Sequence, residues 1–568
     1  MSLKQTPEEP IFVFLNGSLK MPLWAKVDTP VNKFLRTPLV FKLVFIFNLC
    51  LAQNVIYQFF FVEQSYTYAL VLLAATGIAS LIFGLATAVV IILNLLIVFY
   101  AFSWTKLSFV GMPVYYQDLQ LIGWNFVEVI FYDWRAQLAI AAALLVIFLQ
   151  YKVFQPIAIQ ARRKWLKGSI LIGAAVLLVP AASAEIERKQ RWTPGLTTDS
   201  HRVLPTVTAF ALSLVGVGEV GLAVSPRFTE FTGASPGAQN NAHDAGDRKI
   251  NLIFIQYEST FPVDKLLPKY ARSQSSQILA PEHGFNGSLY TPIYGGGSWL
   301  SEFSLVTGQT PFAFGAHAFT LQYLLEGKLK SSLAIRASRA GFTSSVIYPV
   351  GGHFINAGNF YESLGFNFHT ALESEWGWVI DDRILFDKTA KAIKGNDRNL
   401  VFIVTMANHG PHSVTDPFED YYQRLKVQDA KLSSFKTHLV EEYSDFENYI
   451  VSYGDHQPAF TQFLFDKKLD LHKTFWSIDC VGQCDRFSAM TFPAESMGLE
   501  FLPSFVSEQV GIIPADGVVT AHQFVWRKGC RSLQFDCSTK ARNTVNWAQS
   551  QFIDIPDVQL TEARSDKP

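Results

Sequence analysis

Charge is scarce in this sequence. Only 17% of its 568 residues are Asp, Glu, Lys or Arg, against about 25% in ordinary soluble domains. Neither sign is in surplus: 47 Lys and Arg stand against 48 Asp and Glu, a formal net charge of −1. A polyanion binder carries a basic patch or stripe, and none stands out, which sets nucleic acid aside as a partner. Cysteine is also sparse, five residues in all. Cys50 lies inside an apolar run and reads as a small apolar residue. Cys480, Cys484, Cys530 and Cys537 cluster late in the chain. With no histidine among them at ligand spacing they do not form a zinc cluster. An even number in an exported domain points to two disulfides, with three connectivities open.

What the chain has in abundance is apolar length. Hydrophobic residues make up 49% of it, concentrated in the first third. A helix crosses a bilayer with about 20 mostly apolar residues. Leu43–Val62 is free of charge and long enough, and Gln64–Thr105, also uncharged, is about twice one span. Gly77 and Gly84 within it allow a fold-back near Phe83–Gly84. Ala136–Tyr151 and Gly168–Ala184 become spans once their flanks are included.

Positive residues favour the cytoplasmic side. Lys20, Lys26, Lys33 and Arg36 precede the first span, and Lys152, Arg162, Arg163, Lys164 and Lys167 precede the last. Both clusters lie inside only if Gln64–Thr105 crosses twice, which predicts five spans and exports everything after about residue 185. The first span lies far from the N-terminus and is not followed by a small-residue cleavage site, so it is not read as a signal peptide. Val207–Val224 carries Glu219 and three glycines and has no basic flank. It reads as an interfacial or domain-packing helix rather than a sixth span.

After a polar linker at Ser235–Asp247 the pattern changes. Short apolar runs at Asn251–Tyr257, Ser344–Tyr348, Leu400–Met406 and Tyr449–Tyr453 alternate with helical stretches such as Tyr421–Glu442. This predicts an α/β domain with a central, largely parallel sheet. Open α/β sheets bind ligands at the carboxyl ends of their strands. Three of these runs end in Glu258, in Asn408-His409-Gly410-Pro411-His412 and in Gly454-Asp455-His456. A fourth segment, Gly295-Gly296-Gly297-Ser298-Trp299, is a glycine turn entering a helix. It puts the Ser298 hydroxyl near a helix N-terminus, which favours an anion.

Two carboxylates and an imidazole from Glu258, Asp455 and His456 suit one divalent metal ion, manganese or zinc. A serine oxygen completing that shell loses its proton more readily and becomes a nucleophile. Each piece alone is commonplace. A carboxylate after a strand is usually a cap, and an Asp-His pair or an Asn-His-Gly-Pro is usually only a turn. Their joint placement at strand and helix ends is what points to a site.

These residues resemble the alkaline-phosphatase/sulfatase superfamily, and within it the lipoteichoic-acid-synthase-like branch of phosphoglycerol transferases. The similarity runs from about Asn251 to Pro458. It is carried by Gly454-Asp455-His456, Asn408-His409-Gly410-Pro411 and Ser298-x-x-Ser301-Glu302-Phe303, with Leu364-Gly365-Phe366, Trp376-Gly377 and Asp381 in support. The resemblance implies a metal shell of Glu258, Ser298, Asp455 and His456, with Ser298 the nucleophile in place of the more frequent threonine. Ser301 and Thr291 are rival nucleophiles. His409 would contact the substrate phosphate or assist the leaving group. His412, Asn356, His353 and Trp299 complete the expected substrate contacts. The Cys/Ser-x-Pro-x-Arg motif of sulfatases proper is missing. So is an arginine that grips phosphoglycerol in that branch: Ala357 stands in its place. Phosphoethanolamine, handled by five-span transferases of the same superfamily, is therefore an alternative head group, and His353 a candidate replacement contact.

The resulting expectation is a membrane-bound phosphotransferase at a cytoplasmic (inner) membrane. It has a cytoplasmic segment 1–36, a five-helix transmembrane bundle 37–185, a juxtamembrane helix and linker 186–249, an extracytoplasmic sulfatase-like catalytic domain 250–550 and a tail 551–568. Its phospholipid donor would yield a phospho-head group through Ser298 to an envelope glycan or lipid acceptor. The alternatives are a phosphoric-ester hydrolase with the same first step and a non-catalytic envelope binding protein.

Overall fold

The computed structural model describes residues 247–553 apart from 273–274, 373–380, 414, 462–463, 466–467, 493–495 and 512, together with positions 74, 76, 78, 92 and 169–172. The five expected spans and the 186–246 segment otherwise lie outside the described residues. Among the described residues no helix is long and apolar enough to cross a membrane.

Eight strands of the described residues form one sheet: β1 (Ile250–Tyr257), β2 (Phe285–Tyr290), β3 (Thr343–Tyr348), β4 (Asn367–Thr370), β5 (Arg398–Val404), β6 (Glu447–Gly454), β7 (Lys473–Gly482) and β8 (Met497–Gly498). Their order is β4-β3-β5-β1-β6-β7-β2-β8. β4, β3, β5, β1 and β6 run parallel, while β7 is antiparallel to both β6 and β2. The expected largely parallel sheet is present. β5 ends two residues earlier than its apolar run, because Met406 already belongs to the turn closed by His409 N–H donating to its carbonyl (3.0 Å).

β1 is central, and all its residues are buried. Its side chains alternate between two apolar layers. Ile250, Leu252 and Phe254 enter one layer, Ile253, Ile255 and Tyr257 the other. Among the described residues the α-helices of at least six residues are α1 (Trp299–Thr307), α2 (Leu333–Ser338), α3 (Ala357–Ser363), α4 (Asp382–Ile393), α5 (Pro417–Glu442), α6 (Leu502–Val510), α7 (Gly517–Arg527) and α8 (Thr539–Ser550). α1, α2, α3 and α6 pack on the first layer, and α4 and α5 on the second. α5 starts at Pro417, whose missing N–H costs nothing there, and the Asp416 carboxylate accepts from Glu419 N–H.

Register across the three middle strands is pinned by a buried amide row. Asn399 donates to Asn251 (2.8 Å) and Asn251 to Asn448 (2.7 Å), each directly opposite the next in the ladder. A one-residue slip would leave buried amides unpaired. With that register, β1, β5 and β6 end side by side. The cysteine connectivity is Cys480–Cys484 and Cys530–Cys537, the second pair inside a separate apolar cluster of α7 and α8.

Candidate active site

Gly454 closes β6, and a side chain there would meet the Thr260 carbonyl at 1.9 Å. Only glycine lets the two chains approach so closely. The next two residues, Asp455 and His456, are buried beside Glu258, which follows β1. One ligand atom from each of the three lies within 4.8 Å of the others. His456 Nε2 is 3.2 Å from Glu258 Oε1 and 3.5 Å from Asp455 Oδ2.

Gly295, Gly296 and Gly297 have φ of +75, +154 and +85, a run that residues with a Cβ avoid. Their loop is held by Gly295 N–H donating to the Gln457 carbonyl (3.0 Å) and by Tyr294 hydroxyl donating to that of Ala459 (2.6 Å). The loop delivers Ser298 to the start of α1. Its hydroxyl does not cap the helix. It donates to Glu258 Oε2 (2.8 Å) and lies 3.3 Å from His456 Nε2.

The rival hydroxyls are engaged elsewhere. Ser301 is buried and donates to the Asp455 carbonyl (2.7 Å). Thr291 is buried against the carbonyls of His472 (3.2 Å) and Ile293 (3.3 Å). Both act as struts, and of the three candidates Ser298 is the one whose hydroxyl faces the acidic cluster.

The electrostatics describe a site short of positive charge. Burial works to raise the Glu258 carboxyl, but the His456 ring, by charge and hydrogen bond, and His409 beyond it hold it well below the usual carboxylate range. Burial and the Glu258 charge push Asp455 well up instead. His456 is lowered by burial but raised further by Asp455 and Glu258, to about 9. Two adjacent buried carboxylates do not both ionise without a cation. Asp455 Oδ2 is buried without a hydrogen-bond partner, an atom that a bound cation would satisfy. The donor set therefore fits a divalent metal ion.

Sequence reasoning missed Ser259. It sits at φ +50, strained for a residue with a side chain. Its N–H donates to Asp455 Oδ1 (2.9 Å) and its hydroxyl to Glu258 Oε1 (2.8 Å), orienting both carboxylates. No sequence pattern marks such a backbone conformation at a serine.

Of the expected substrate contacts, His409 is exposed on the turn after β5, with a ring nitrogen, Nδ1, 2.7 Å from the Gly410 carbonyl. His412 is half-buried, its Nε2 3.3 Å from Asn408 Oδ1 and its ring edge-on to Phe460. Burial, then the Arg424 charge, lower it to about 4. Trp299 packs with Ile293, Leu300, Phe312 and Ala318, and its carbonyl accepts from Gln322 (3.0 Å). Asn356 donates to the Gln322 carbonyl (3.2 Å) and to Glu326 Oε2 (2.7 Å). His353 is exposed on the same turn, where Ile355 and Asn356 have φ of +46 and +62. Ala357 is 1% exposed and belongs to the apolar layer. Asp381 caps α4, accepting from Arg383 N–H (3.0 Å), and its carboxylate pairs with Lys431 (3.0 Å). Trp376 and Gly377 lie outside the described residues.

Residues 250–474, which span the whole cluster, match the sulfatase family model. The chain is also similar in shape to several solved structures. Lipoteichoic acid synthase LtaP of Listeria monocytogenes is 14% identical, over 50% of this chain and 78% of that one, with a TM-score of 0.38. The phosphoglycerol transferase GacH of Streptococcus pyogenes, in complex with sn-glycerol-1-phosphate, is 16% identical over 57% and 88%, with a TM-score of 0.43. The integral membrane lipooligosaccharide phosphoethanolamine transferase A of Neisseria meningitidis is 12% identical over 78% and 94%, with a TM-score of 0.39. No curated protein matches the chain.

Proposed function

We propose that this protein is a membrane-bound phosphotransferase that moves a phospholipid head group, phosphoglycerol or phosphoethanolamine, through Ser298 to an envelope glycan or lipid acceptor. The observation that carries the reading is the Ser298 hydroxyl, held 2.8 Å from Glu258 at the start of α1 beside an acidic cluster in which Asp455 Oδ2 accepts no hydrogen bond. Glu258, Asp455, His456 and the Ser298 oxygen would hold the divalent ion, manganese or zinc. Bound there, the ion lowers the pKa of the serine hydroxyl and neutralises charge on the phosphate.

In the first half-reaction Ser298 Oγ, its proton released to solvent beforehand, bonds to phosphorus and the bond from phosphorus to the diacylglycerol oxygen breaks. His409 gives that oxygen its proton. In the second, an acceptor hydroxyl attacks phosphorus, His409 takes its proton and the bond to Ser298 breaks. The positive end of α1 favours the phosphate in both steps. The 37–185 segment tethers the domain to the outer face of a cytoplasmic membrane, where a lipid donor is locally concentrated.

Ala357 lies in the apolar layer, so that position lends no cation to a head group. An amino head group asks for none, and GacH and the Neisseria enzyme are named for the two alternatives. The test is to incubate the purified protein with labelled phosphatidylglycerol or phosphatidylethanolamine and follow diacylglycerol release. Intact-protein mass then shows whether a phospho-head group sits on Ser298. An adduct from one lipid identifies the donor; no adduct from either sinks the proposal. Head-group release to water at an unchanged rate without acceptor would make the protein a hydrolase instead.

A further inference from the structure

The turn that presents His409 is gripped from outside by one side chain. Arg424, two turns into α5, donates from Nη1 to the His409 carbonyl (2.6 Å) and from Nη2 to the Pro411 carbonyl (3.0 Å). Asp420, one turn earlier, aims the fork, accepting from Arg424 Nε and Nη2 (3.0 Å each). The same carboxylate accepts from Ser413 N–H (2.8 Å). Two side chains of one helix thus hold three backbone groups across residues 409–413.

An ordinary i,i+4 ion pair on a helix contributes only a few tenths of a kcal/mol and needs no loop contacts. Here the planar guanidinium places its other N–H groups on carbonyls that no strand or helix ladder serves, a task that a lysine ammonium cannot reproduce. On its inner side the turn has weaker ties. Asn408 is 3.4 Å from Thr260 Oγ1, and His412 is 3.3 Å from Asn408.

We propose that Arg424 is a positioning residue for head-group transfer: with Asp420 it locks the 409–413 turn so that His409 faces the phosphorus on Ser298. It touches no substrate and acts through His409. The inference rests on the reading of His409 as the proton donor and acceptor of the transfer.

A double-mutant cycle on the full chain tests it, with phosphatidylethanolamine and phosphatidylglycerol vesicles as donor. His409→Ala, Arg424→Ala and the double variant are compared in kcat, KM, metal content and melting temperature. Arg424→Ala should lower kcat by roughly 10- to 100-fold, the cost of a misplaced group, with KM and metal content unchanged. In the His409→Ala background the same substitution should have no further effect. Full activity in Arg424→Ala, or a loss that multiplies with that of His409→Ala, overturns the positioning role. Full activity in His409→Ala overturns the reading of His409 beneath it. Should Arg424→Ala fail to fold, Arg424→Lys carries the same cycle, and wild-type kcat in that variant overturns the role of the fork.

Discussion

The Ser298 hydroxyl donates to Glu258 Oε2 at 2.8 Å across a separation of 40 residues, so that a helix start and a strand end share one proton-accepting contact. Ser298→Ala should therefore abolish transfer, by roughly 1000-fold or more, while the protein keeps its metal on the three remaining ligands. Ser301→Ala should instead cost about 1 kcal/mol of stability through its lost buried hydrogen bond, with the covalent adduct still formed. Mass spectrometry of the adduct and metal analysis of both variants check this. An active Ser298→Ala protein would falsify the assignment.

Metal binding should weaken as pH falls. Asp455 and His456 both have raised pKa values without a cation, so the ion has to displace protons that acid restores. Calorimetry between pH 6 and 8, in buffers of differing ionisation enthalpy, reads the protons released. A pH-independent affinity would mean that these residues are not the ligands. Asp455→Asn, which removes the charge next to Glu258, should purify with little metal, and chelation should silence the wild type.

Gly454→Ala should be among the most damaging substitutions of a single atom group. Its Cβ would lie 1.9 Å from the Thr260 carbonyl, and relieving the clash parts β1 from β6 at the site. A loss of about 3 kcal/mol is expected, read as a lower melting temperature together with lost metal. Normal stability and activity would contradict the close approach of the two strand ends.

Glu500 offers a pH test away from the site. It is buried, accepts from Leu533 N–H (2.6 Å), and burial pushes its carboxyl up to about 7. The unfolded chain loses this proton near 4.5, so the group's contribution is complete below that pH and is lost as pH rises through 7. Glu500→Gln, which can keep the Leu533 contact, should gain on the wild type between pH 4.5 and 8 by on the order of 3 kcal/mol. Parallel stability curves for the two proteins across that window would refute it.

Local pattern alone determined much here. Four apolar runs read as strands became β1, β3, β5 and β6, because strands buried on both faces are written as short, mostly apolar runs rather than as an alternation. Gly454 and Gly295–Gly297 signalled the turns, since only glycine tolerates their close approach or positive φ. Strand ends carrying Glu258, Asp455 and His456 followed from the same alternation of elements. Only the tertiary structure showed that the Ser298 hydroxyl meets Glu258 while those of Ser301 and Thr291 meet backbone carbonyls, for which distant atom a hydroxyl faces is decided by packing. The same holds for Ser259, whose part lies in a backbone angle, for the cysteine pairing, and for Ala357, buried where a charge was sought. Contact between residues 40 to 200 positions apart is a property of packing, and no local pattern encodes it.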